Sequence, residues 1–117
     1  MSVLVAVGEG AEGTHALAAG AAEADLLGAR LVVVNLSLST LEPGLVPAGT
    51  EVVERRGSGD RDPAEAVLDE IDERGDVQRL VIGVRRRSPV SKALLGSISQ
   101  RLLLESPVPV LAVKPPA

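Results

Sequence analysis

Five short runs rich in Val and Leu recur along the chain. Residues 3–7 are apolar without a break up to Gly8, 31–36 form a second run, 50–54 a short third, 80–83 a fourth and 108–113 the last. Continuous apolar runs of this length, bounded by Gly or Pro, predict strands covered on both faces. The segments between them carry helical spacing. Leu17, Ala21, Ala24 and Leu27 mark a helix over 14–27, which Gly28 closes as the residue after the C-cap. Residues 8–13 read as a Gly-rich turn ahead of it. Asp62-Pro63-Ala64-Glu65 is a strong helix start. Asp62 suits the N-cap, Pro63 the first helical position and Glu65 the capping box. That helix runs to Arg74, turns Ala66 and Ile71 inward with part of Val67 and Leu68, and ends at Gly75. Ser97 opens a third helix, with Gln100 at the capping-box position and Leu102, Leu103 and Leu104 as its apolar side, and Pro107 ends it.

The remaining stretches read as connections. Residues 37–49 carry Pro43, Gly44, Pro47 and Gly49, residues 57–61 form a turn, and 84–95 form a basic loop containing Pro89. The order β-α-β-β-α-β-α-β with buried strands predicts an α/β fold: an open, doubly wound, five-stranded parallel sheet of order 3-2-1-4-5. Such sheets bind ligands at the carboxyl ends of their strands, where the strand order switches. In that order strands one and four are neighbours, so the loops after Val7 and Gly83 can line one cleft.

Composition narrows the function. The 117 residues give room for a single domain, 1–117. The chain has no Phe, Tyr or Trp, so its core is aliphatic and the usual base-stacking platforms for single strands are missing. With 16 acidic and 12 basic residues the net charge is −4, which argues against a general nucleic-acid binder. The local exception is Arg85-Arg86-Arg87. There are no cysteines and one histidine, His15, which reads as a surface or helix-start residue with no catalytic role. No secretory leader is recognisable at Met1-Ser2-Val3 and no run approaches the ~18 apolar residues of a membrane span. The expectation is a cytoplasmic protein without membrane attachment.

Three motifs compete for the cleft. Gly8-Glu9-Gly10-Ala11-Glu12-Gly13 is literally G-x-G-x-x-G between a strand and a helix. A dinucleotide site would then need an acid at the end of strand two, about 20 residues on, and Asn35 stands there. Glu9 and Glu12 would also face a pyrophosphate with like charge, so the motif reads as a turn and a small dinucleotide-binding domain is a weak alternative. Ser88, Ser91, Ser97 and Ser99 have no sequence-adjacent base for hydrolase chemistry. The third motif is Gly83-Val84-Arg85-Arg86-Arg87 leading through Ser91-Lys92 to Gly96-Ser97-Ile98-Ser99. A glycine turn before a helix N-terminus suits an anion, because unpaired N–H groups and the helix dipole converge there.

That last segment resembles the universal stress protein signature, in which Gly, two residues, Gly, nine residues, Gly and Ser/Thr hold a nucleotide. Gly83, Gly96, Ser97 and Ser99 match it, and the opening strand, the helix start at Asp62 and the Pro107-Val108-Pro109-Val110-Leu111 strand extend the likeness. The resemblance implies a Rossmann-like sheet of the adenine nucleotide alpha hydrolase type and a cytoplasmic stress-response protein. It implies binding of ATP, ADP or AMP with magnesium in a regulatory role rather than turnover. It also implies a homodimer formed through the last strand. The departures are specific. Arg86 replaces the signature's second Gly, Pro89 stands where Gly is common, and Val7, Gly8, Glu9 and Gly10 replace a Val-Asp-Gly-Ser whose Asp contacts the nucleoside. The connection after strand two is short for the family, and a helix usual there is missing.

Two versions of the cleft follow. In one, Gly8, Gly83, Arg85, Arg86, Gly96, Ser97, Ile98 and Ser99 bind an adenine nucleotide or another phosphate ligand, with Arg85, Arg86, Arg87 and Lys92 supplying charge-assisted contacts. In the other the site is degenerate, no nucleotide is bound, and the protein is a homodimeric interaction module. ATP hydrolysis is the weakest reading, since Asp60 and Asp62 are the nearest acids and Asp62 has a capping role. The dimer surface is expected at Val108, Val110, Leu111, Ala112 and Val113. An apolar edge strand invites pairing with a second copy, and Pro109, which cannot donate a ladder bond, suits an edge.

Overall fold

The computed structural model describes residues 1–37, 39–54, 62–84 and 96–115. In chain order its elements are β1 (Ser2–Val7), α1 (Gly10–Leu27), β2 (Arg30–Asn35), a 3-10 turn at Pro43–Leu45, β3 (Glu51–Glu54), α2 (Pro63–Arg74), β4 (Val77–Gly83), α3 (Ser97–Glu105) and β5 (Val110–Val113). All strand pairs are parallel and the sheet order is β3-β2-β1-β4-β5. This is the fold the apolar runs predict. Between β2 and β3 the described residues hold only the 3-10 turn, in keeping with the short connection noted in the sequence.

Strand alternation builds two aliphatic layers. Leu4, Ala6, Val32, Val34, Leu80 and Ile82 face one way and pack with Ala64, Val67 and Ile71 of α2 and Leu102 of α3. Val3, Val5, Val7, Leu31, Val33 and Val81 face the other way and meet Ala16, Leu17 and Ala24 of α1. Burying each such Val or Leu contributes about 1.5–3 kcal/mol. With no ring to span the gap, α1 lies close to the sheet. Its Gly20 sits so near Val5 that an added Cβ would lie 2.9 Å from the valine Cβ.

Element ends follow local chemistry, with three corrections. Asp62 caps α2 as expected, its Oδ1 accepting from the N–H groups of Ala64 (2.9 Å) and Glu65 (3.2 Å). The carboxylate of Glu65 meets Arg101 of α3 at 3.5 Å. Gly28 and Gly75 close α1 and α2 at φ 64° and 71°. The first correction is the start of α1. Residues 10–13, read as turn, are its first turn, because Gly10 enters at φ 77° and Gly13 nests on the backbone of Gly8. The second is β4, which begins at Val77 rather than Leu80. Ser2 pairs with Val77 and Val3 with Arg79, so Gln78 bulges and hides the strand's start from the apolar pattern. The third is α3, whose N-cap is Gly96 rather than Ser97. Gly96 is extended, and its carbonyl accepts the N–H of Gln100 at 2.9 Å.

Candidate functional site

The sheet order switches between β1 and β4, and an open cavity of about 410 Å³ lies at their carboxyl ends. Its floor is the ends of the two strands, Ala6 with Ile82 and Gly83, and Leu36 joins from the end of β2. One side is the start of α1, with Gly8, Glu9, Glu12 and Gly13. The other is the start of α3, with Gly96, Ser97, Ile98, Ser99 and Leu102. The structure therefore brings together six of the residues singled out in the sequence: Gly8, Gly83, Gly96, Ser97, Ile98 and Ser99. Arg85 and Arg86, with Arg87, Ser88, Pro89, Ser91 and Lys92 of the same loop, lie outside the described residues, as do Asp60 and the turn at 57–61.

The glycines do different work from one another. Gly83 is held to glycine by packing, since a Cβ there would sit 2.3 Å from the carbonyl oxygen of Glu12. Gly13 is held likewise, 2.0 Å from the carbonyl oxygen of Gly8. These contacts seat the first turn of α1 directly on β4. Gly8 and Gly96 have open space where a Cβ would be, so their backbones are accessible from the cavity.

The helix N-termini differ in a way that matters chemically. The terminus of α2 is satisfied by Asp62. Among the described residues neither α1 nor α3 has a side-chain cap: Glu9 and Gly96 occupy the N-cap positions without making one. The first N–H groups of a helix have no partner within it, so an uncapped terminus is a donor set and the positive end of a dipole. Ser97 is exposed and Ser99 half-buried, which adds two hydroxyls to the wall built by α3. The side of α1 carries the carboxylates of Glu9 and Glu12. Among the described residues no group of three or more His, Cys, Asp or Glu could hold a metal ion.

Arg101 fixes α3 against α2. Its guanidinium reaches Glu105 (3.0 Å), Asp62 (3.2 Å) and Glu65 (3.5 Å). The hydrogen bond to Glu105, followed by those charges on α2, keeps its pKa above the ordinary arginine value. No local pattern predicts this clasp, which joins residues 39 and 36 positions apart. Asn35 was legible only as a missing acid. It is fully buried and spends its amide on protein partners, which takes it away from any ribose-binding role.

At the far edge, β5 pairs only with β4 among the described residues. Val108, Val110 and Val113 are half-buried against the core, while Leu111 and Ala112 are exposed. His15 is half-buried within α1. Among the described residues no helix is long and apolar enough to cross a membrane.

Comparisons with known proteins agree on one family. The model of the universal stress protein family matches residues 44–114. A universal stress protein of Mycolicibacterium smegmatis is 70% identical over 40 residues, a match that spans 34% of this chain and only 31% of that protein. Among solved structures, a universal stress protein from Archaeoglobus fulgidus aligns with TM-score 0.69 and 28% identity over 97% of this chain and 98% of its own. A structure from the same organism, in complex with dAMP, aligns with TM-score 0.63 and 24% identity over 97% of this chain and 98% of its own.

Proposed function

The chain belongs to the universal stress protein family, and from that premise we propose that its cleft binds an adenine nucleotide, or another small phosphate-bearing ligand, in a regulatory role. One observation carries the reading. Of the three α-helix N-termini among the described residues, the two that line the cavity at the strand switch point are the two with no side-chain cap among those residues. An anion docked at Ser97 to Ser99 meets N–H donors that no side chain caps among the described residues of α3. Ala6, Leu36, Ile82 and Leu102 give the same cavity an apolar floor suited to a base. The dAMP complex of the Archaeoglobus fulgidus relative supports the choice of an adenine nucleotide.

The test uses the absence of aromatic residues. The purified protein is nearly transparent in the near ultraviolet, so co-purifying nucleotide shows as an absorbance band. Ligand that binds only the folded state raises stability by about 2.7 kcal/mol at about a hundred times Kd. AMP, ADP or ATP with magnesium is expected to raise the melting temperature. No band and an unmoved melting temperature at millimolar ligand would refute nucleotide binding.

A second reading, self-association, rests on the edge strand. Among the described residues β5 leaves one side of its ladder unpaired and exposes Leu111 and Ala112, so a second copy can extend the sheet there. Sedimentation velocity is expected to show a dimer that Leu111→Lys converts to monomer. A monomeric wild-type protein at micromolar concentration overturns this reading and leaves the ligand reading standing.

A further inference from the structure

Asn35 ends β2 with its side chain completely buried and every polar atom engaged. Its Nδ2 donates to the carbonyl of Ser39 (2.9 Å) and to Oε1 of Glu54 (2.9 Å). Its Oδ1 accepts from the backbone N–H (3.0 Å) and the hydroxyl (2.7 Å) of Ser37, which is itself buried. The cluster joins the end of β2, the turn after it and the end of β3. Leu36 lies between Asn35 and Ser37 and is the residue of this region that lines the cavity. Its own N–H donates to the carbonyl of Val7 at 2.8 Å, one rung beyond the β1–β2 ladder. Leu36 is thus held on one side by the sheet and on the other by the turn that Asn35 locks. A buried amide with four partners fixes one geometry, because any other strands donors or acceptors away from water.

We propose that Asn35 is a positioning residue for the cleft, fixing the turn after β2 so that Leu36 forms a preset part of the cavity wall. The inference rests on the cavity being the ligand site. Asn35→Ala removes all four hydrogen bonds and lets the turn leave its cleft-forming geometry. If that geometry falls to about a tenth of the population, the apparent Kd for AMP rises about tenfold. Ile71→Val, a core change in α2, serves as the comparator: it lowers the melting temperature and leaves Kd unchanged. Rescue separates positioning from mere stability. Asn35→Asp loses both donors and sets a carboxylate against Glu54, so it weakens AMP binding. Adding Glu54→Gln returns a donor across one of the two lost contacts, while the carboxylate still opposes the carbonyl of Ser39, and is expected to recover part of the affinity, read as a double-mutant cycle. This pair also serves if Asn35→Ala does not fold.

Amide exchange at Ser37 in the free protein needs no ligand. It is expected to be slow in the wild type and fast in Asn35→Ala. Wild-type AMP affinity in a variant whose Ser37 exchange has accelerated overturns the positioning role, as does a failure of Glu54→Gln to rescue. A wild-type protein that binds no AMP refutes the ligand reading instead. In that case unchanged Ser37 exchange in Asn35→Ala overturns the lock on the turn, and accelerated exchange supports it.

Discussion

Replacing Gly83 with alanine places a methyl carbon 2.3 Å from the carbonyl oxygen of Glu12 and 2.9 Å from its carbonyl carbon, with Ala16 Cβ at 3.3 Å. A tolerable carbon–oxygen contact is about 3.3 Å, so about 1 Å of room must be found. The obstructing atoms are backbone in the first turn of α1, and no rotamer change clears them. Overpacking of this kind costs typically 1–3 kcal/mol, and with backbone as the obstacle about 2–3 kcal/mol is expected. For a domain of this size that is a melting temperature lower by about 10 °C. The assay is thermal unfolding of the ligand-free protein, with Gly8→Ala beside it. Gly8 lies in the same cavity, has open space for a Cβ and does not adopt positive φ, so its substitution is expected to stay within about 0.5 kcal/mol of wild type. The signature resemblance assigns Gly83 to the nucleotide, whereas the packing assigns it first to the seat of α1. A Gly83→Ala protein that melts within about 2 °C of wild type refutes the packing argument.

Two further outcomes are expected. Leu102 is the one buried residue of α3 among those described and also lines the cavity, so Leu102→Ala should cost about 3 kcal/mol by urea unfolding and release the N-terminal turn of α3 to faster amide exchange. Asp76 accepts the hydroxyl of Ser2 and is attracted by the N-terminal ammonium and Arg30, which together hold its pKa below the ordinary aspartate value. Its contribution is therefore complete above the usual aspartate range and lost as pH falls through the lower folded value. Asp76→Asn should flatten the drop in urea midpoint between about pH 7 and about pH 3.

What the sequence carries is uneven, and the physical reasons are specific. The five strands and their order follow from apolar runs and turn residues, because burial on two faces leaves a continuous pattern. The cap at Asp62 and the left-handed Gly28 and Gly75 are local events within a few residues, and they were legible too. The start of α1 was not. Whether Gly10 and Gly13 are turn or helix depends on how closely α1 approaches Gly8, a distance no one-dimensional spacing contains. Gln78 broke the apolar pattern of β4 because it is a bulge against β1. The site divided in the same way. The Gly96-Ser97-Ile98-Ser99 wall was legible as a motif. The buried cluster at Asn35 was not, since it is completed by Glu54, 19 residues later and on another strand.

The short helix α3 leads without slack into the edge of the sheet. The N–H of Ser106 bonds to Leu102, its hydroxyl to the carbonyl of Val108, and the carbonyl of Pro109 accepts from Leu80. One short segment therefore has the cavity at one end and β5 at the other. The thermodynamic consequence would be linkage: were a cavity ligand and a partner along β5 to prefer different settings of this segment, each would change the other's affinity by the same factor.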